Sequence, residues 1–265
     1  FQCGIVGLPN VGKSTLFNAL TATASAEAAN YPFSTVEPNL GRIAVPDLRL
    51  NEIAHIANSD KITPTQLDFV DIAGLVHGAS RGEGLGNRFL SHIREVDAIV
   101  HVLRCFEGGE VPHTGEIDPV ADAETVEMEL MLADLDSLER RMEPLIKKMR
   151  GGDKEAAAMQ GMCERALAVL HDGRPAREVV HTPDETGLFF QMQLLSAKPV
   201  MYICNVDEEL ALSGNSHSAR LIKWASANGT PAVVIAAGIE AEIAQINNEE
   251  EKREYLETLG LEESG

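Results

Sequence analysis

Six short apolar runs punctuate the chain, at residues 3–6, 41–45, 67–70, 98–103, 200–204 and 232–235. Most are continuous rather than alternating, the pattern of strands covered on both faces. They alternate with helical segments in the first part of the chain, which predicts an α/β fold with a mostly parallel sheet. Between the fourth and fifth runs the pattern changes. Met131, Leu135, Leu138, Met142, Leu145 and Met149 recur at spacings of four and three, a heptad seam along one helix. Asp118-Pro119 supplies an N-cap and a first-turn proline to start that helix, and Gly151-Gly152 breaks it. Met159, Met162, Ala166 and Val169 then mark a second helix, so the two stripes should pack as an antiparallel hairpin. Core packing alone would explain the hairpin, and so would a coiled-coil arm that projects to touch a partner. Residues 118–193 thus read as an insertion between two parts, 1–117 and 194–265, of one α/β domain.

The first run leads into Gly7-Leu8-Pro9-Asn10-Val11-Gly12-Lys13-Ser14, which fits GxxxxGK[ST], and a helix over 14–20 follows. Glycines let backbone N–H groups turn inward around a β-phosphate, and the helix N-terminus adds partial positive charge. This predicts a P-loop nucleotide-binding domain in which Asn10, Val11, Gly12, Lys13, Ser14 and Thr15 meet the nucleotide. Lys13 should reach the β- and γ-phosphates as a catalytic charge, and the Ser14 hydroxyl should ligate Mg2+. Asp71-Ile72-Ala73-Gly74 closes the third strand. An acidic residue there holds magnesium, commonly through water, while the Gly74 amide senses the γ-phosphate. Between these elements, Tyr31 to Asn39 offers Thr35 or Ser34 as a further magnesium ligand. The stretch from Gly74 to Gly86 reads either as a switch ordered by triphosphate or as a merely flexible loop. Within it, Gly82-Glu83-Gly84-Leu85-Gly86 has the wrong spacing for GxGxxG and no strand before it, which excludes a dinucleotide site. Asn10 either caps the loop or ligates a monovalent cation such as K+.

The loop after the fifth run, Asn205-Val206-Asp207-Glu208, stands where guanine-specific P-loop proteins carry Asn-Lys-x-Asp. The lysine whose stem packs on the base is absent, and the carboxylate is one methylene longer. Glu208 still attracts a donor edge, so GTP stays open beside ATP. Asn205, Val206 and Glu208 are the candidate base-binding residues.

Composition narrows the partners. Hydrophobic residues make up 44% and charged residues 24%, ordinary for a globular chain, but the net charge is −19. That excludes a general nucleic-acid surface and argues against direct sequence-specific DNA binding, while a local basic patch remains open. The four cysteines form no CxxC pair, and three sit in apolar runs, which predicts free thiols and a cytoplasmic setting. No run approaches the ~18 apolar residues of a membrane helix, so no membrane partner is expected. The chain begins at Phe1 without an initiator Met and stops at Gly265 after an acidic helix, which predicts a fragment.

Taken together, Gly7–Thr15, Asn30–Asn39, Asp71–Asn87, the strand end Val102–Phe106, Asn205–Glu208 and Ile239–Ile243 resemble the Obg-like ATPase (YchF) family over nearly the whole chain. The resemblance implies slow Mg2+-dependent hydrolysis of ATP in preference to GTP, and association with ribosomes. It also implies a C-terminal TGS domain, which this sequence lacks. The family has no water-positioning Gln after Asp-x-x-Gly, and here the residue is Leu75. In its place the family uses a His from a flexible loop, for which His113 is the nearest match. The segment between His113 and Asp118 is one residue shorter than the family pattern, and His77 competes for the role. Two rival readings are a conventional GTPase and a non-enzymatic switch whose nucleotide state gates a partner.

Overall fold

The computed structural model describes residues 1–27, 39–72, 85–107, 116–246 and 248–261, with the side chains at 23–27, 85–87 and 249 set aside. In chain order the elements are β1 (Gln2–Val6), α1 (Lys13–Glu27), β2 (Leu40–Ala44), α2 (Leu48–Ala57), β3 (Gln66–Asp71), α3 (Leu85–Glu95), β4 (Ala98–Arg104), α4 (Pro119–Arg150), α5 (Lys154–His171), α6 (Thr186–Gln191), β5 (Val200–Asn205), α7 (Ser216–Ala227), β6 (Ala232–Ile235), α8 (Ala237–Ile243) and α9 (Glu249–Leu259). The described strands form one sheet in the order β2-β3-β1-β4-β5-β6. All neighbours are parallel except β2, which runs antiparallel to β3.

The central runs β1, β4 and β5 are strands buried on both faces, whereas the edge strands β2 and β6 keep exposed positions such as Leu40 and Val233. On β4, successive side chains alternate between faces. Val100 and Val102 pack with Leu16 and Phe17 of α1. Ile99 meets Val126 and Leu130 of α4, and Leu103 meets Val120 and Ala123. His101, between them, shares the α4 face and is buried. Among the described residues its Nε2 has no hydrogen-bond partner.

The predicted hairpin is α4 and α5. Asp118 caps α4, accepting from the Ala121 amide at 3.1 Å, with Pro119 in the first turn. Asp153 caps α5, accepting from the amides of Glu155 (3.0 Å) and Ala156 (3.1 Å). The buried stripe of α4 crosses between two environments. Val120 to Leu130 lies on the sheet, whereas Met131 and Leu138 join Met162, Cys163, Ala166 and Leu170 of α5. At the crossing, Asp134 accepts from the amides of Leu195 and Ser196, each at 2.8 Å, and from the Ser196 hydroxyl at 2.6 Å. Burial raises the Asp134 pKa, and these three donors oppose that by favouring the carboxylate.

Two elements depart from the sequence pattern. Helix α1 runs on to Glu27, beyond the predicted 14–20. Helix α2 has no buried residue, and Leu48, Ile53 and Ile56 are exposed on it. Cys3, Cys105, Cys163 and Cys204 are free and buried. Among the described residues no helix is long and apolar enough to cross a membrane.

Candidate functional site

Parallel pairing gathers the ends of β1, β3, β4, β5 and β6 at one edge of the sheet, the place where open α/β folds bind ligands. Residues 7–12 join β1 to α1 there. Asn10 and Gly12 both hold positive φ, 65° and 90°, which turns the loop back on itself. A side chain at Gly12 would be strained by that backbone and would collide with the Asn205 carboxamide. The loop therefore delivers α1 with its first amides free of intrahelical partners, and the first turn carries no acidic residue to occupy them. This is a seat for an anion.

Lys13 and Asp71 meet at this seat. The register sets Asp71 opposite Ile5, two residues before the loop begins. The Lys13 ammonium contacts Asp71 Oδ1, with the two side chains 12% and 16% exposed. A half-buried cation and anion beside an anion seat form a pair that a phosphate and a divalent cation can divide between them. Ser14 and Thr15 stand exposed on the first turn of α1. The donor set of Ser14 hydroxyl and Asp71 carboxylate is all oxygen, which fits Mg2+: that ion prefers one or two protein oxygens plus phosphates and waters.

At the base end, Asn205 is a brace. Its amide donates to the Val11 carbonyl and its carbonyl accepts from the Ala237 amide, both at 2.9 Å, so one buried side chain ties the P-loop to the start of α8. Val206 turns its side chain into the core, only 4% exposed, and offers a nucleobase its backbone alone. Asp207 accepts from the Glu107 amide at 3.2 Å, and Asn215 donates to the Cys105 carbonyl at 2.5 Å, bracing the β4 and β5 loops against each other. Glu208 is exposed and opens a 3-10 turn through Leu210, beside α8.

The structure thus brings together Asn10 to Thr15, Asp71 and Asn205 to Glu208. Ser34, Thr35, Gly74, Leu75, His77 and His113 lie outside the described residues. Ala237 and Gly238 carried no role in the sequence reading. Their signal was a run of small residues, Ala236-Ala237-Gly238, just past a strand end.

Comparison with known proteins places this geometry. A family model described as 50S ribosome-binding GTPase matches residues 2–147. A protein of Haemophilus ducreyi named ribosome-binding ATPase YchF is 51% identical over 266 residues, covering 100% of this chain and 72% of that one. Its namesake in Bacillus subtilis is 46% identical over 265 residues, covering 99% and 72%. The solved structure of the Schizosaccharomyces pombe YchF GTPase superposes with a TM-score of 0.83 at 35% identity, across 98% of this chain and 71% of that one. Fold, P-loop and sequence agree: the chain belongs to the YchF family of P-loop nucleotide triphosphatases.

Proposed function

We propose that this chain binds ATP in the cradle of Asn10 to Thr15 and hydrolyses it slowly to ADP and phosphate, with its nucleotide state governing association with the ribosome. The observation that carries the reading is the Lys13–Asp71 pair at the mouth of the P-loop. On binding, Lys13 would turn to the β- and γ-phosphates, leaving the Asp71 carboxylate available to hold a metal. Ser14 and Asp71, with Thr35, would hold Mg2+, which supplies neutralisation of the phosphate charge. Gly74 is proposed to sense the γ-phosphate. With Leu75 unable to hold water, His113 is the proposed water-positioning group. His113→Ala should depress turnover with little change in ATP affinity, and a defect in His77→Ala alone would move the role to His77.

Ribosome association is named for the relatives. Locally, Lys147, Lys148, Arg150 and Lys154 are exposed around the hairpin turn beside the exposed acids Glu143, Asp153 and Glu155, with Lys147 paired to Glu143 at 2.6 Å, a small local excess of cations on a chain of net charge −19. This supports the hairpin as an arm that meets ribosomal phosphates.

GTP is the second reading, because the family model and the S. pombe structure bear the name GTPase. Titration of fluorescent ATP and GTP analogues with Mg2+, paired with phosphate release, tests both. Tighter ATP binding with ATP turnover is the expected result. Equal or tighter GTP binding sinks the ATP assignment, and binding without turnover leaves a switch rather than an enzyme.

A further inference from the structure

Gly238 is the second residue of α8, where alanine is the better helix former. Its backbone is not the reason for glycine, since it lies outside the positive-φ region. The reason is a neighbour. A Cβ built on Gly238 would stand 3.2 Å from Glu208 Cδ and 3.3 Å from Cγ, and would collide with Oε1. The end of the Glu208 side chain occupies the space that a side chain at 238 would take. Beside it, Ala237 is bonded to Asn205, so α8 cannot move away from the base loop without breaking that brace.

We infer that Gly238 is a positioning residue for base selection: it lets the Glu208 carboxylate lie back against α8, withdrawn from the base. The inference rests on the reading that the loop Asn205 to Glu208 receives ATP. A carboxylate aimed at the base discriminates sharply. Guanine offers it two donors, N1–H and N2–H2, whereas adenine presents the N1 lone pair, which the carboxylate repels. Drawing Glu208 back removes an acceptor that guanine needs and adenine does not. The contact is also tunable, because the atoms in the way belong to the far end of a flexible side chain, which can swing out without disturbing the core.

The test is ATP and GTP affinity, measured by competition against one fluorescent analogue, for wild type, Gly238→Ala, Glu208→Ala and the double variant. Gly238→Ala should press the carboxylate toward the base and lower the ATP-to-GTP preference about tenfold, the scale of one hydrogen bond to a charged group. In the Glu208→Ala background the same substitution should change nothing. An unaltered preference in a folded Gly238→Ala protein, or an equal shift with Glu208 absent, overturns the inference. Should Gly238→Ala fail to fold, Glu208→Ala decides: if the carboxylate is held off the base, its loss should leave the ATP-to-GTP preference unchanged to about twofold, and a changed preference rejects the idea. The wild-type ratio is read separately. No preference for ATP there overturns the underlying base assignment, whereas a clear ATP preference that survives Gly238→Ala overturns only the role of Gly238.

Discussion

The two ends of α4 border regions built on opposite principles. At the nucleotide end, backbone turns and one carboxamide hold the loops. Asn205 ties Val11 to Ala237, and the left-handed Gly12 packs directly on it. At the hairpin end, an apolar seam between α4 and α5 holds the helices, and a buried carboxylate, Asp134, clasps the seam to the approach of β5. Polar bracing leaves room for a charged ligand to enter and change partners. Apolar packing gives a stiff lever and tolerates little rearrangement. The difference predicts that lesions at the first end cost chemistry and lesions at the second cost stability.

The largest effect belongs to Lys13. Its ammonium contacts Asp71, and on the proposed reading it turns to the phosphates once nucleotide binds, so Lys13→Ala should lower turnover roughly 10²- to 10³-fold. Phosphate release beside circular dichroism checks this, and a folded Lys13→Ala protein with wild-type turnover would falsify the assignment of the cradle. Asp134→Ala sharpens the contrast from the other side. It strands two buried amides and a hydroxyl, so unfolding in urea should show a loss of about 3 kcal/mol or more, while nucleotide affinity of the folded protein stays within about twofold. A large affinity loss without a stability loss would show that the two ends are not separable.

Asn205→Ala probes the middle of the scale. Two hydrogen bonds at 2.9 Å disappear, each worth about 1 kcal/mol, and Gly12 loses the group it packs on. Stability should fall by about 2 kcal/mol and nucleotide affinity by at least tenfold, because the brace shapes the loop. Intact affinity would reduce Asn205 to a purely structural contact.

What was legible in the sequence follows from the range of the signals. Strands and the P-loop announce themselves locally, by apolar runs and by glycine spacing, and all six predicted runs became strands. The hairpin is equally local, since its seam and its caps sit within the helices that use them. Helix α2 was not read from the sequence, although Leu50, Ile53, Ala54 and Ala57 recur at spacings of three and four, because the fold leaves Leu48, Ile53 and Ile56 exposed instead of burying one clear stripe. Asp134 reads in sequence as a solvated residue on a helix. It is buried only because Leu195 and Ser196, some sixty residues on, bring it donors (separations of 61 and 62). Asn205 is easy to assign to a base-binding loop, but its partner Val11 is 194 residues away, so its bracing role exists only in the fold. The pairing of Glu208 with Gly238 is hidden for the same reason.

The smallest predicted effect concerns the residue that fits neither principle. His101 sits on β4 in the apolar layer beneath α4, flanked by Ile99 and Leu103, opposite Val6 and Tyr202 on the neighbouring strands. Burial pushes its pKa down from 6.5 to about 3, so it is neutral in the folded chain across ordinary pH. The sign follows from linkage. Between about pH 6.5 and pH 3 the unfolded chain binds a proton at this position and the folded chain does not, so stability contributed by the neutral form is lost as pH falls through that window. The slope is at most about 1.4 kcal/mol per pH unit, or about 2 kcal/mol between pH 6.5 and 5. His101→Leu removes the titrating group. Its absolute stability can move either way, because the new side chain repacks the layer, so the readout is the slope. Urea unfolding from pH 7.5 to 5 should show wild type losing more stability than His101→Leu, with the shared carboxylates cancelling in the difference. Parallel slopes would mean that the unfolded and folded chains protonate His101 alike, and that the sheet face under α4 admits charge as readily as the loops at the nucleotide end.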